Sequence, residues 1–203
     1  MDKGINDLKL SSDPEKITLM KKQDKEIENC TLCRLCESRT HAVPGSGNVE
    51  NPLVIFVGEG PGKNEDLQGK PFVGSGGKLL DRLLKNAGLE RDQVYITNIV
   101  KCRPPKNRKP KPDEVETCTS HYLEKQIEIL KPRLICTLGA TALEYFTGEK
   151  MMGPNHGKLL KAKVSGIPLL PTYHPASVFR NGSFRALLQN DLKKIPEIIG
   201  KHE

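Results

Sequence analysis

Four short apolar runs, at residues 53–57, 94–100, 134–138 and 167–171, are separated by stretches with helical apolar spacing. Runs that are apolar without alternation suit strands buried on both faces, and parallel strands need long, usually helical, crossovers. The intervening patterns supply them. Residues 77–87 put Leu79, Leu80, Leu83 and Leu84 on one face, and 113–130 repeat Val115, Tyr122, Leu123, Ile127 and Leu130. A shorter helix is predicted over 140–146, and a last one over 184–199 with a kink at Pro196. Strands alternating with helices predict an α/β fold, a sandwich with helices on both sides of a parallel sheet. In such sheets ligands bind beyond the carboxyl ends of the strands.

Six cysteines punctuate this framework, in a chain whose N-terminus carries no signal-peptide pattern, so the cytosol is the expected compartment and ligands or reduced thiols are expected over disulfides. Cys30 and Cys33 form a C-x-x-C, and Cys102 and Cys118 form a distant second pair. Thiolates so spaced can hold a metal or an iron–sulfur cluster. From Lys101 to Pro112 the chain carries six basic residues and no acidic one. With a net charge of +7, that loop suits a polyanion and points toward nucleic acid. No apolar run approaches the ~20 residues that span a bilayer. Residues 1–11 read as a loose polar tail, and Ser12-Asp13-Pro14 starts a helix running to about residue 29. Residues 1–29 are taken as a tail and helix packing on a single domain, 30–203, that contains the loop 102–118.

The predicted strand ends carry chemistry. After the first comes Gly58-Glu59-Gly60-Pro61-Gly62, a turn through which backbone N–H groups can face a ligand; neither the P-loop spacing nor G-x-G-x-x-G is met. Phe72 lies in a loop among Gly and Pro, where its ring can plug the core or stack on a planar ligand. Asn98 in an apolar run must have its amide satisfied, by loop backbone or by a ligand such as the N3–H and O4 edge of uracil. His174, beside a proline turn, can donate a hydrogen bond to developing negative charge.

Taken together, GEGPGKNEDLQGKPFVGSGGKLLDRLL (58–84), YITNIVKCRPPKNRKPKPDE (95–114), Cys118 and YHPAS (173–177) closely resemble the family 4 uracil-DNA glycosylases, from about Cys30 to the final helix. The resemblance implies a three-layer αβα sandwich with a central four-stranded parallel sheet. It also implies hydrolysis of the N-glycosidic bond of uracil in single- or double-stranded DNA, leaving an abasic site. Cys30, Cys33, Cys102 and Cys118 would ligate a structural [4Fe–4S] cluster. Gly58, Glu59 and Gly60 would line the uracil pocket, Phe72 would stack, Asn98 would read the base edge and His174 would face O2. In the better-known uracil glycosylases an Asp follows the residue aligned with Glu59; here Gly60 stands there. Glu59 is therefore expected to position water or pocket backbone without acting as a strong base. The turn through Val178, Phe179 and Arg180 looks like the part that enters the duplex. Arg103, Lys106, Arg108, Lys109, Lys111 and Arg180 are the expected DNA-binding residues. Cys36 and Cys136 are expected to be reduced core thiols. A monomer is expected, with a repair or replication protein as a further partner. A rival reading, a non-catalytic iron–sulfur module docking on DNA or a polymerase, would keep the cysteines and basic loop but dispense with Phe72, Asn98 and His174.

Overall fold

A computed structural model describes residues 13–200 of the chain, so the tail assigned to residues 1–11 lies outside the described residues. Helix α1 (Pro14–Glu28) is capped by Asp13, whose carboxylate accepts the Lys16 N–H. Its buried Met20 and Ile27 face the core, and Gln23 donates to the Tyr122 carbonyl.

The sheet has six strands: β1 (Ser46–Gly47), β2 (Val54–Gly58), β3 (Val94–Asn98), β4 (Leu134–Leu138), β5 (Leu160–Lys161) and β6 (Pro168–Thr172), in the order β1-β3-β2-β4-β6-β5. The inner four are parallel, as expected from the sequence; β1 and β5 add two-residue antiparallel edges that no periodicity could announce. Two-residue strands are too short to alternate, so the four-stranded expectation becomes six strands around a four-stranded parallel core.

Alternation inside the central strands creates the layers. Ile55, Val57, Tyr95 and Ile135 join Met20, Ile27, Leu123, Ile127 and Phe146 on one face. Val54, Phe56, Ile96 and Cys136 join Leu79, Leu80, Leu83, Leu84, Leu188 and Leu192 on the other. Helix α3 (Ser75–Asn86) thus buries all four leucines, each worth about 1.5–3 kcal/mol when fully removed from water.

The expected 113–130 helix is divided into α4 (Pro112–Cys118), a π-helical turn (Thr119–Leu123) and α5 (Glu124–Leu130). The last helix breaks at Lys194, giving α8 (Phe184–Lys193) and α9 (Ile195–Gly200). Helix α6 (Ala140–Thr147) follows β4, while α2 (Lys63–Gln68) and α7 (Met152–Asn155) are short additions. No helix among the described residues is long and apolar enough to cross a membrane.

Chain order places β2 between β3 and β4, so the crossover from β2 runs to one side of it and the next, from β3, returns past it to the other. The crevice at such a reversal, outside the carboxyl ends, is where this architecture accepts ligands.

Candidate active site and thiol centre

A cleft opens at that crevice, lined by Glu59, Gly60, Phe72, Asn98, Thr141 and His174 among others. The ladder sets the positions of Glu59 and Asn98. Gly58 pairs with Asn98 in the β2–β3 register, and pairing continues beyond the strands through Ile99 N–H to the Gly58 carbonyl and Val100 N–H to the Glu59 carbonyl. A Cβ on Gly58 would overlap Asn98 Oδ1 and lie 2.8 Å from Phe72 Cζ, so only glycine lets these two side chains approach across the strand end.

Asn98 is 1% exposed, and its Oδ1 has no hydrogen-bond partner among the described residues. A buried amide oxygen left unpaired costs about 1–3 kcal/mol, which a ligand donor in the cleft would recover. Phe72 is buried against the α3 face as a core plug and also lines the cleft. Its ring centroid lies 5.5 Å from that of His174.

His174 Nδ1 accepts the Ala176 N–H at 3.1 Å, which puts the proton of the neutral ring on Nε2. Burial pushes its pKa down to about 4, Arg180 adding to the depression and Glu65 opposing it. The ring is therefore a neutral Nε2–H donor at physiological pH. Glu59 follows β2 directly, and one carboxylate oxygen accepts from Thr141 Oγ1 at 2.5 Å. Gly60, also in the cleft, packs toward Val100 and Pro104.

A second, smaller cavity on the α1 side of the sheet is lined by Cys30, Cys33, Cys102 and Cys118, with Ile27, Leu35, Lys101 and Tyr122. All six cysteines are free. The four thiols ring the cavity instead of converging on a point: among the described residues, no three His, Cys, Asp or Glu side chains are placed to hold a single metal ion. Donors surround the sulfurs. Arg39 Nη1 reaches Cys102 Sγ at 3.0 Å, Lys101 N–H reaches Cys118 Sγ at 3.3 Å, and Leu32 N–H reaches Cys30 Sγ at 3.5 Å. Burial raises the pKa of Cys33 and Cys102 and pushes Cys118 up to about 12, against the pull of Arg39 on Cys102 and of Lys101 on Cys118. Cys36 does not line this cavity. It is half-buried on a single 3₁₀ turn, not the core thiol expected, whereas Cys136 lies fully buried in β4.

Lys101 joins the two sites. Fully buried, its ammonium donates to the Asn98 carbonyl (2.9 Å), Thr97 Oγ1 (2.6 Å) and Gln126 Oε1 (2.7 Å), while burial lowers its pKa to about 8. A lysine in an apolar run carries no sequence signal for such a role. Thr141, Glu65 and Arg39 were likewise invisible, because their partners lie far away in the chain or across a loop.

The basic loop divides. Arg108 grips buried Glu114 with both arms (2.8 and 2.6 Å), and Lys109 pairs with Glu144 at 3.1 Å. Arg103 donates to Asn107 Oδ1, supporting the left-handed pair Lys106 (φ 54°) and Asn107 (φ 55°). Two of the expected DNA-binding cations are thus ion-paired within the protein: Glu114, in the same segment, takes the Arg108 fork, and Glu144 pairs with Lys109. Lys106, Lys111 and Arg180 form no ion pair with a carboxylate among the described residues, and Arg180, whose charge bears on His174, lines the cleft. Phe179, on the adjacent turn, is 60% exposed.

Comparison with known proteins agrees with this geometry. The family model described as "Uracil DNA glycosylase superfamily" matches residues 44–195. The chain is 45% identical over 189 residues to a type-4 uracil-DNA glycosylase of Sulfurisphaera tokodaii, covering 88% of this chain and 84% of that protein. It is 43% identical over 193 residues to one from Thermotoga maritima, covering 90% and 96% respectively. Similarity along nearly the whole chain establishes that this protein belongs to the uracil DNA glycosylase superfamily, in its type-4 group.

Proposed function

We propose that the chain excises uracil from DNA by hydrolysing the N-glycosidic bond, with Asn98, Phe72, His174 and Glu59 acting in the cleft. Family membership supports the activity. The observation that carries the assignment of residues is the unpaired Asn98 Oδ1, which opens on the space shared by Phe72 and His174. That oxygen accepts uracil N3–H and the amide nitrogen donates to O4; cytosine offers the reverse pattern. Phe72 stacks on the flipped base, an interaction worth ~1–3 kcal/mol.

The bond from C1′ to N1 breaks with its electron pair moving to the base, so charge gathers on O2 and the sugar becomes oxocarbenium-like. The His174 Nε2–H donates to O2 without transferring its proton. Its low pKa keeps Nδ1 available as an acceptor for Ala176, so the donor stays aimed. Glu59, held by Thr141, orients the water that adds to C1′ and loses a proton to solvent. The uracil anion takes up a proton from solvent, and the products are uracil and an abasic site.

For the thiol centre, the residues fit a [4Fe–4S] cluster. Four cysteines ring one largely apolar cavity, and N–H and guanidinium donors meet three of their sulfurs. Burial disfavours thiolates there unless a cation supplies compensating charge, which also suits that group. When bound it would supply a cross-link among the Cys30–Cys33 loop, the end of β3 and α4. The DNA backbone is met by Lys106, Lys111 and Arg180, with Arg103, Arg108 and Lys109 shaping the loop that presents them. Residues 30–200 act as one domain, on which α1 packs.

The test is excision from an end-labelled oligonucleotide, read as alkali-sensitive cleavage, with thymine and cytosine controls. Cleavage at uracil alone, lost in His174→Ala, is the expected result. No cleavage by protein with its cluster intact would favour the docking-module reading.

A further inference from the structure

His174 lies two residues beyond β6, so its aim depends on how the end of that strand is fixed. Thr172, the last residue of β6, is fully buried and held twice. Its carbonyl accepts the Gly139 N–H at 2.9 Å, and its hydroxyl donates to Asp191 Oδ2 at 2.7 Å. Asp191, on α8, is 2% exposed and does not line the cleft. The same carboxylate accepts from His156 Nδ1, at 3.0 Å to Oδ2 and 3.3 Å to Oδ1. The His156 ring lies against Tyr173, with centroids 5.0 Å apart, and Phe184 stacks on Tyr173 at 4.3 Å. Both residues that precede His174 are thus tied to Asp191, Thr172 directly and Tyr173 through His156.

The backbone is shaped around this carboxylate. Gly157 has φ 68°, and a Cβ there would overlap Asp191 Oδ1, so only glycine lets the segment after α7 pass it. Gly157 in turn donates its N–H to the Pro171 carbonyl at 2.8 Å, and Lys194 Nζ donates to the Gly157 carbonyl at 2.8 Å. Burying a carboxylate is costly unless donors compensate it. A side chain that merely filled this helix–sheet contact could be apolar, as the buried Leu188 and Leu192 of the same helix are. The cost is intelligible where an acceptor is needed at that point. Nor does Asp191 act on the imidazole by charge, since the charged groups that bear on His174 are Glu65 and Arg180. Its route to the cleft is the chain itself.

We propose that Asp191 is a positioning residue for His174: it fixes Thr172 directly and Tyr173 through His156, and so aims the His174 Nε2–H at uracil O2. This rests on the uracil reading given above. Without that acceptor the end of β6 loosens, the bond from Ala176 to Nδ1 no longer holds one ring orientation, and the donor is misaimed while DNA still binds.

The test is single-turnover excision of uracil from a duplex by the cluster-loaded protein, fitted for maximal rate and for half-saturating protein. Long-range nitrogen–proton NMR spectra report the His174 ring nitrogens alongside. Wild type is compared with Asp191→Leu (acceptor lost), Asp191→Asn (one acceptor oxygen kept, charge lost) and Thr172→Val (hydroxyl lost), each also in the His174→Ala background. We expect Asp191→Leu to lower the maximal rate by roughly 10- to 100-fold, as a displacement of about 1 Å does, with half-saturation unchanged. Asp191→Asn should recover most of that loss, and Thr172→Val should lose less than Asp191→Leu. The wild-type nitrogens should give the separate signals of a fixed Nε2–H tautomer and converge in Asp191→Leu as the ring samples both. With His174→Ala already in place, none of the substitutions should slow excision further.

A maximal rate unchanged in Asp191→Leu, a loss that multiplies with that of His174→Ala, or a loss accompanied by wild-type His174 signals would each overturn the proposal. If Asp191→Leu does not fold, Thr172→Val decides, because it removes one hydroxyl and little volume. An unchanged rate and spectrum in that variant overturn it. Wild-type protein that cannot cleave uracil would instead sink the glycosylase reading, and the His174 spectra would still decide whether Asp191 sets the ring.

Discussion

The cleft and the thiol centre lie close together on one β-strand end, yet folding leaves them in opposite conditions. In the cleft every functional side chain is already held: His174 by Ala176, Glu59 by Thr141, Phe72 between Gly77 and Glu65. What stays unpaired there, among the described residues, is the buried Asn98 oxygen. In the thiol centre Cys33, Cys102 and Cys118 are sequestered with raised pKa values, so the uncombined state is poorly matched to its own surroundings. The protein alone arranges the first site, whereas the proposed cluster would complete the second. Lys101, bonded to the Asn98 carbonyl and preceding Cys102, is the covalent and hydrogen-bonded hinge between them.

The sharpest way to break this contrast is to remove a thiol. Cys118→Ala, or iron chelation, should unfasten the basic loop and then Asn98. We expect the melting temperature to fall by on the order of 10 °C or more, since metal binding in such centres is folding free energy. Scanning calorimetry with visible absorbance checks it, and an unchanged melting point would make the thiols incidental.

His174→Ala should do the converse, lowering single-turnover excision by roughly 10²–10³-fold, as loss of one oxyanion donor does, with a melting temperature near wild type. Its pH behaviour has a definite sign. The folded-state pKa, about 4, lies below the ordinary 6.5, so between these values the unfolded chain takes up a proton and the native state does not. The contribution of this histidine to the pH dependence of stability is complete above about 6.5 and lost as pH falls toward 4. Excision should accordingly show no acid limb from His174 near 6.5, and a His174-dependent limb at that pH would contradict the neutral-donor geometry.

Asn98→Asp should weaken uracil excision about 10- to 100-fold, because a carboxylate can accept from N3–H but not donate to O4. Competition between uracil and cytosine in the same oligonucleotide reads the shift. The smallest effect is expected at the unpaired cations. Lys106→Glu with Lys111→Glu should reduce the slope of log affinity against log salt by about 0.9 for each phosphate no longer neutralised, leaving the intrinsic excision rate alone. An unchanged slope would make these lysines ordinary solvated surface.

The parallel core was legible in the sequence because each inner strand is apolar on both faces, and α3 because four leucines repeat at helical spacing. Strand limits differ by one or two residues, as at Val54–Gly58, since the run cannot reveal where ladder bonds stop. The π-helical turn after Cys118 preserves the apolar pattern on either side, so periodicity passed over it. In the site, residues announced by position at strand ends were legible: Asn98, His174 and the Gly58–Gly60 turn. Those whose roles depend on a distant partner were not. Glu65 lies eight residues from Val73, Thr141 is far from Glu59, and Arg108 looks like a phosphate ligand until Glu114 takes its fork.

The missing Cβ at Gly58 limits how this pocket can diversify. Asn98 and the Phe72 ring meet across a single hydrogen atom, so a larger side chain on β2 would wedge the base-reading amide and the aromatic wall apart together. Variants selected for bulkier bases therefore have one direction in which to yield. They must move the wall, through Phe72 or the loop that carries it, because the floor of the pocket has no slack to give.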